Sequence, residues 1–210
     1  MKINKTCTKH NTCKYLANVN ANQAVAIAPI IFYTPLQTWV IMLGLERGGR
    51  YKGEYNLFSG NGEKEDLDSS RSFCWLKCLI REFHEESTIY APFAKGQFDF
   101  IFRSLNKKRI RYFLHHNTPV FLGLLPKGTS RKPINNELKR RSSDNKLPYQ
   151  YKEMLKVDYF RLDNGDQIEG RGNIPDANLH IFCNSVDLIR KIIRQTGLTE
   201  ENCRAIYSKH

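Results

Sequence analysis

The stretch LIREFHEESTI, residues 79–89, decides how this chain is read. It sets three glutamates, Glu82, Glu85 and Glu86, almost side by side in a protein that is otherwise strongly basic. On a helix, positions i, i+3 and i+4 share one face. Like charges at that spacing destabilise an isolated helix by about 0.2–0.5 kcal/mol per pair. Such a face is either simply solvated or covered by a cation. Trp75, Leu79 and Phe83 recur at i, i+4 and i+8 and form the apolar stripe of the same helix. The glutamates lie mostly off that stripe, so the helix has an apolar side and an acidic side. Ser69 or Ser70 is placed to cap its start, and the helix runs to about Glu86.

The rest of the chain bounds what that helix serves. Its 210 residues suit one good-sized domain or one domain with additions, long enough to bury a core without staples. Against 21 Asp and Glu stand 33 Lys and Arg, a formal net charge of +12 that favours anionic partners such as nucleotides, nucleic acid or a membrane surface. No apolar run approaches the ~20 residues of a membrane span. The N-terminal MKINKTCTKHNTCKYLANVN is polar and lacks the apolar centre of a signal peptide, so an intracellular protein with mostly reduced cysteines is expected. Cys7, His10 and Cys13 lie close together, but they lack a fourth zinc ligand and the usual knuckle spacing. Cys74 and Cys78 read as core residues one helical turn apart.

Around the acidic helix the pattern is mostly β. Residues 24–33 and 38–45 are β-rich runs separated by TPLQ, a hairpin with its turn at Pro35. The Gly-rich ERGGRYKGEY leads into NLFSGNGE, which ends in a loop where Gly60 and Gly62 flank Asn61. Strand-like runs follow at 97–105, 109–116, 118–125 and about 156–162. Between the last two, residues 126–150 read as a basic, flexible insertion carrying Lys127, Arg131, Lys132, Lys139, Arg140, Arg141 and Lys146. Val186, Ile189, Ile192 and Ile193 mark an amphipathic helix over 185–197. Residues 1–21 form a polar extension, 22–200 the domain, and 201–210 a tail. The order predicts an α/β class with a mixed sheet between helices.

Arg81-Glu82-Phe83-His84-Glu85-Glu86 resembles the R-E-φ-x-E-E heart of the Nudix box, where φ is apolar, and Ile89 falls on the box's last apolar position. LFSGNG is similar to the glycine turn that precedes the box helix, and Glu153 before Tyr159-Phe160 resembles an acidic residue ahead of an aromatic strand in that family. The resemblance covers roughly residues 22–197 and implies a Nudix-like α/β/α sandwich. The chain departs from the pattern at three places. Phe73 stands where the first box glutamate is expected, Thr88 replaces the closing glycine, and the glycine turn lies further from the helix. Glu63, Glu65, Asp66 and Asp68 are the candidates to replace the missing glutamate. Asn61 falls on the box glycine and is expected in a left-handed conformation, which Asn tolerates.

The resemblance implies a Mg²⁺- or Mn²⁺-dependent hydrolase that cleaves the diphosphate linkage of a nucleoside diphosphate derivative, either a small nucleotide or capped RNA. The alternative is a catalytically degenerate module of the same fold that binds RNA or a protein partner. Carboxylates are the ligand type both cations prefer. Glu82, Glu85 and Glu86 are the implied metal ligands, completed by a backbone carbonyl near Gly60 or Asn61, with Arg81 orienting the carboxylates. The general base is a box glutamate or a distant acid, for which Glu153 is the first choice and Glu137 the second. Arg47 and Arg50 are placed to meet substrate phosphates. The basic segment is either solvated or a clamp for a phosphate backbone.

Overall fold

The computed structural model describes residues 24–67, 72–89, 112–115, 118–125, 129–162 and 167–168. Eight strands form one sheet: β1 (Ala24–Tyr33), β2 (Thr38–Glu46), β3 (Tyr55–Asn56), β4 (Phe58–Asn61), β5 (Tyr112–His115), β6 (Thr118–Leu124), β7 (Met154–Arg161) and β8 (Gln167–Ile168). Among the described residues two α-helices accompany them, α1 (Trp75–Ser87) and α2 (Arg131–Ser143). The strand order is β5-β6-β1-β2-β7-β8, with β3 paired to β2 and β4 paired to β1. The β1–β6 pair is parallel and the remaining pairs are antiparallel, so the sheet is mixed as the sequence predicts.

Strand β1 explains its own position. Val25 to Ala28 and Ile30 to Ile31 are buried, which a strand flanked on both faces requires. One side of β1 is shared by two antiparallel neighbours: residues 24–27 pair with β4, and residues 30–33 pair with β2. Pro29, which has no N–H to give a ladder, falls where one partner yields to the other. That divergence lets β4 leave the β2 plane and run beside α1. Leu79 and Phe83 of α1 pack on Val25, Ile27 and Phe58, with the Phe58 and Phe83 rings edge-on at 5.1 Å. Ile134 and Leu138 of α2 enter the same cluster, so both described helices cover one face of the sheet.

Four expectations need correcting. Helix α1 begins at Trp75 with Cys74 as its N-cap, and no side chain caps it. The proposed caps Ser69 and Ser70 lie outside the described residues. The loop that ends NLFSGNGE begins only at Gly62, because Phe58–Asn61 is strand β4. Asn61 pairs with Ala24 in that strand, and among the described residues the non-glycine residues at positive φ are Gln37 and Thr88, so Asn61 is extended rather than left-handed. Within the basic segment, Arg131–Ser143 folds as helix α2, capped by the Ser130 hydroxyl accepting from the Lys132 N–H at 3.4 Å. Ile134, Leu138 and Arg141 give α2 a buried face at i, i+4 and i+7, one member of which is charged. Asn135 also completes the outer edge of β7, donating to the Val157 carbonyl at 3.0 Å and accepting from its N–H at 2.7 Å. The polar extension 1–21 with Cys7, His10 and Cys13, the strand at 97–105, the helix at 185–197 and the tail 201–210 lie outside the described residues. Among the described residues no helix is long and apolar enough to cross a membrane.

The end of α1 stores strain. Thr88 adopts φ +67°, donating its N–H to the His84 carbonyl at 2.9 Å. A β-branched residue in the left-handed region costs about 1–3 kcal/mol, and glycine is the usual residue there. Thr88→Gly removes that strain but adds about 0.5–1 kcal/mol of unfolded-chain entropy. A net gain of about 1 kcal/mol is expected in urea unfolding; a loss would show that Thr88 side-chain contacts outweigh the strain.

Candidate functional site

The acidic side of α1 lies against the backbone of β4. The Ser59 N–H donates to Glu86 Oε2 at 2.7 Å. A Cβ at Gly60 would fall 2.0 Å from the Glu82 carboxyl carbon, so only glycine leaves room for that carboxylate. Glu82, Glu85 and Glu86 are all buried rather than solvated. Of the two readings of LIREFHEESTI, the plainly solvated face is the wrong one.

Arg81 is the cation that holds this face together. Its Nη2 contacts Glu82 Oε1 at 2.8 Å and its Nη1 contacts Glu85 Oε2 at 3.0 Å. The same guanidinium reaches the Asn61 carbonyl at 2.8 Å, so that carbonyl is committed to Arg81. Asp66 completes the clamp. It is 1% exposed, and Arg81 donates to Oδ1 at 3.2 Å and to Oδ2 at 2.9 Å. The Glu63 N–H fixes Asp66 Oδ2 at 2.8 Å within a capping box around residues 63–66. Phe73, on the position of the missing glutamate, is buried edge-on to Trp75 with ring centroids 4.8 Å apart. Of the candidates to replace that glutamate, Asp66 is the buried carboxylate that grips Arg81. Glu63 approaches Arg81 only to 3.8 Å and is half exposed. Asp68 lies outside the described residues.

The structure also brings in a residue the sequence reading missed. Glu46 ends β2 on the same face as Val40 and Met42, since side chains two apart share a side. The β2–β7 register shifts between Leu45 and Glu46, with Leu45 opposite Lys156 and Glu46 opposite Met154. That bulge on β7 brings Glu153 beside Glu46, and the Arg47 N–H donates to the Glu153 carbonyl at 2.7 Å. The signal was legible: a charged residue at the end of a core-facing alternation needs a partner or a ligand.

Glu46, Glu82, Glu85, Glu86 and Glu153 therefore form one group, linked by mutual repulsion. Burial is the leading cause that raises Glu46 and Glu82 to about 7, against hydrogen bonding from Asn56 and attraction to Arg81 respectively. Burial likewise raises Glu85 and Glu153, and it lifts Glu86 well above the carboxylate range, with Glu82, Glu46 and Glu153 adding to it. Five such carboxylates are oxygen donors of the kind hard divalent cations take. Among the described residues no group of three or more His, Cys, Asp or Glu side chains is already gathered around one point. Arg81 spreads Glu82 and Glu85 onto its own donors instead.

The other expected residues divide. Arg47 sits beside the acidic group through its backbone. Arg50 is exposed, with its guanidinium 5.6 Å from the Tyr51 ring centroid. Glu137 is not available as a base. It pairs with Arg140 at 2.7 Å and Arg141 at 3.2 Å, and hydrogen bonding from Arg140 holds its carboxyl down at about 2. Arg141, buried, also donates to the carbonyls of His84 at 3.3 Å and Glu85 at 3.1 Å, fastening α2 to the last turn of α1.

A pH-dependent cost follows from the carboxylates. Each raised group holds its proton more tightly folded than unfolded. Between about 4.5 and 7, the limits for Glu46 and Glu82, the folded state binds the extra protons, so stability falls as pH rises through that window. His84, lowered by burial, opposes this as one group against five. Glu137 acts only at lower pH. Discounted for partial solvation, the net loss is about 2 kcal/mol, or roughly 5 °C in Tm, from pH 5 to pH 8. Millimolar Mg²⁺ or Mn²⁺ at pH 8 is expected to restore it, because a ligand of the native state stabilises. A Tm that is flat or rises with pH, or that ignores both cations, contradicts a buried cation-seeking cluster.

No family model matches the chain, and no curated protein matches it. Among solved structures the chain is similar to a MutT/nudix family protein from Enterococcus faecalis, at 10% identity and TM-score 0.37, over 78% of this chain and 60% of that one. The chain thus spans less than two thirds of that protein. It is also similar to the NUDIX domain of Shewanella oneidensis NrtR, solved in complex with ADP ribose, at 11% identity and TM-score 0.38, over 84% of this chain and 98% of that one.

Proposed function

We propose that this chain is a divalent-cation-dependent hydrolase of the Nudix type, acting on the diphosphate linkage of a nucleoside diphosphate derivative. The observation that carries the reading is the gathering of five carboxylates in one group, with Glu82, Glu85 and Glu86 buried, Glu46 and Glu153 half-buried, and the Arg81 guanidinium paired with Glu82 and Glu85. Glu82 and Glu86, with Glu85, would hold Mg²⁺ or Mn²⁺. When bound, the cation supplies charge neutralisation for the phosphoryl oxygens. The protein's own residues do the rest. Arg81 keeps the carboxylates aimed while Asp66 keeps Arg81 in place. Glu153, raised by burial, takes the proton of the attacking water, and Glu46 beside it is raised by burial and in part by the Glu153 charge. Arg47 and Arg50 receive the phosphates.

A second reading, an RNA-binding module that has lost catalysis, is favoured by α2. Lys132 and Lys139 are exposed on an ordered helix rather than scattered along a loop, and a regular basic face suits a phosphate backbone. One panel separates the two: nucleoside triphosphates, ADP-ribose, dinucleoside polyphosphates, NADH and capped RNA, each with Mg²⁺, Mn²⁺ or chelator. Cation-dependent turnover of any member supports the hydrolase. Folded protein that turns over none of them, yet binds RNA with steep salt dependence, supports the module.

A further inference from the structure

We infer that Tyr149 and Tyr51, with Arg47 and Arg50, form a nucleobase-and-phosphate recognition site at the mouth of the acidic group. Residues 47–54 turn back on themselves directly after Glu46, with Gly53 N–H donating to the Glu46 carbonyl at 2.9 Å and Glu54 N–H to the Tyr51 carbonyl at 2.9 Å. Residues 149–152 enter directly before Glu153. The two segments touch: a Cβ at Gly48 would lie 2.4 Å from the Tyr149 hydroxyl. Both aromatic side chains are left in solvent, Tyr149 at 56% and Tyr51 at 38% exposure. The two rings are carried on segments that meet at Gly48, next to Glu46 and Glu153.

The cations at the same place choose the ligand. Arg50 lies over the Tyr51 ring. The Nε of Arg47 is buried without a hydrogen-bond partner among the described residues. An unpaired buried donor is costly, and an anion in the mouth removes that cost. Aromatic faces take a base of any identity by stacking. Guanidinium groups take phosphate. A nucleotide brings a flat base and a phosphate joined at a fixed distance, which matches tyrosines and arginines set side by side, whereas a peptide has no such built-in pairing. Sending the diphosphate on to the carboxylates rests on the hydrolase reading, whereas stacking on Tyr149 does not need turnover.

The test is equilibrium binding of AMP and of ribose 5-phosphate by calorimetry, in chelator and low salt, to the full chain. The wild type is expected to prefer AMP by about tenfold or more. Tyr149→Ala should erase that preference, Tyr149→Phe should keep it, and Arg47→Ala should weaken both ligands alike. Equal binding of the two ligands by wild type, or a preference that survives Tyr149→Ala, overturns the site. If AMP is preferred and the substrate panel shows no turnover, the hydrolase reading falls and the base site stands. If turnover is found without base preference, the reverse holds.

Discussion

Arg81→Ala is expected to destabilise the protein by about 3–5 kcal/mol, the range for stranding one side of a buried ion pair. The substitution leaves Asp66, Glu82 and Glu85 without their shared cation, and all three are buried. It also frees the Asn61 carbonyl at the end of β4. Burial alone would lower the Arg81 guanidinium, yet its hydrogen bonds to Asp66 and attraction to Glu82 leave it raised, so it stays charged at any working pH. Urea unfolding at pH 8 measures the loss. Three controls tie the loss to charge. Acidifying to pH 5 should recover part of it, because the stranded carboxylates take up protons. Arg81→Lys should recover only part, since an ammonium cannot span Asn61, Asp66, Glu82 and Glu85 with one planar fork. The double variant Arg81→Ala, Asp66→Asn should be less destabilised than the sum of the singles, as residues in one network are not additive. A cost below about 1 kcal/mol for Arg81→Ala would falsify the clamp, because exposed pairs are worth no more.

How much of this was legible depends on whether a signal is local. The β1–β2 hairpin and the α1 stripe were readable because periods of 2 and 3.6 show in consecutive residues. The acidic face was readable for the same reason: Glu82, Glu85 and Glu86 are neighbours on one turn of helix. Asp66 was only one of several candidates, because its claim on Arg81 rests on a 3-10 turn around residues 64–66 that leaves no pattern. Glu46 leaves a local sign, a charge ending a core-facing strand, but its partner Glu153 is brought to it by a bulge between strands far apart in sequence, which no local pattern shows. Helix α2 was misread because its buried face uses Arg141, a residue that lowers every measure of amphipathicity, and because its second turn is stabilised by packing on β7 rather than by propensity. Asn61 was misassigned by treating a family's glycine turn as a local rule, when pairing with Ala24 sets its backbone.

Glu86→Gln is expected to move stability and activity in opposite directions, and that opposition identifies a functional carboxylate. Glutamine keeps the size of glutamate and can still accept from the Ser59 N–H, so the contact with β4 survives. It removes one negative charge from a buried site already shared with Glu82, Glu46 and Glu153. Replacing an ill-solvated charge by a neutral group of equal shape often stabilises by about 1–4 kcal/mol. The cation-free variant should therefore melt higher than wild type at pH 8, and its Tm should fall less between pH 5 and pH 8. The same change removes a ligand from a cation site, and turnover on the best substrate of the panel should drop by about 10²-fold or more. Mg²⁺ should no longer raise Tm as it does for wild type. A structural glutamate behaves otherwise: its loss lowers Tm and leaves residual turnover in proportion to folded protein. Destabilisation at pH 8 would show that Glu86 is satisfied as an anion within the fold, and full turnover would remove it from the cation site. The stability that wild type forgoes at this position is then the measure of what the site is kept for.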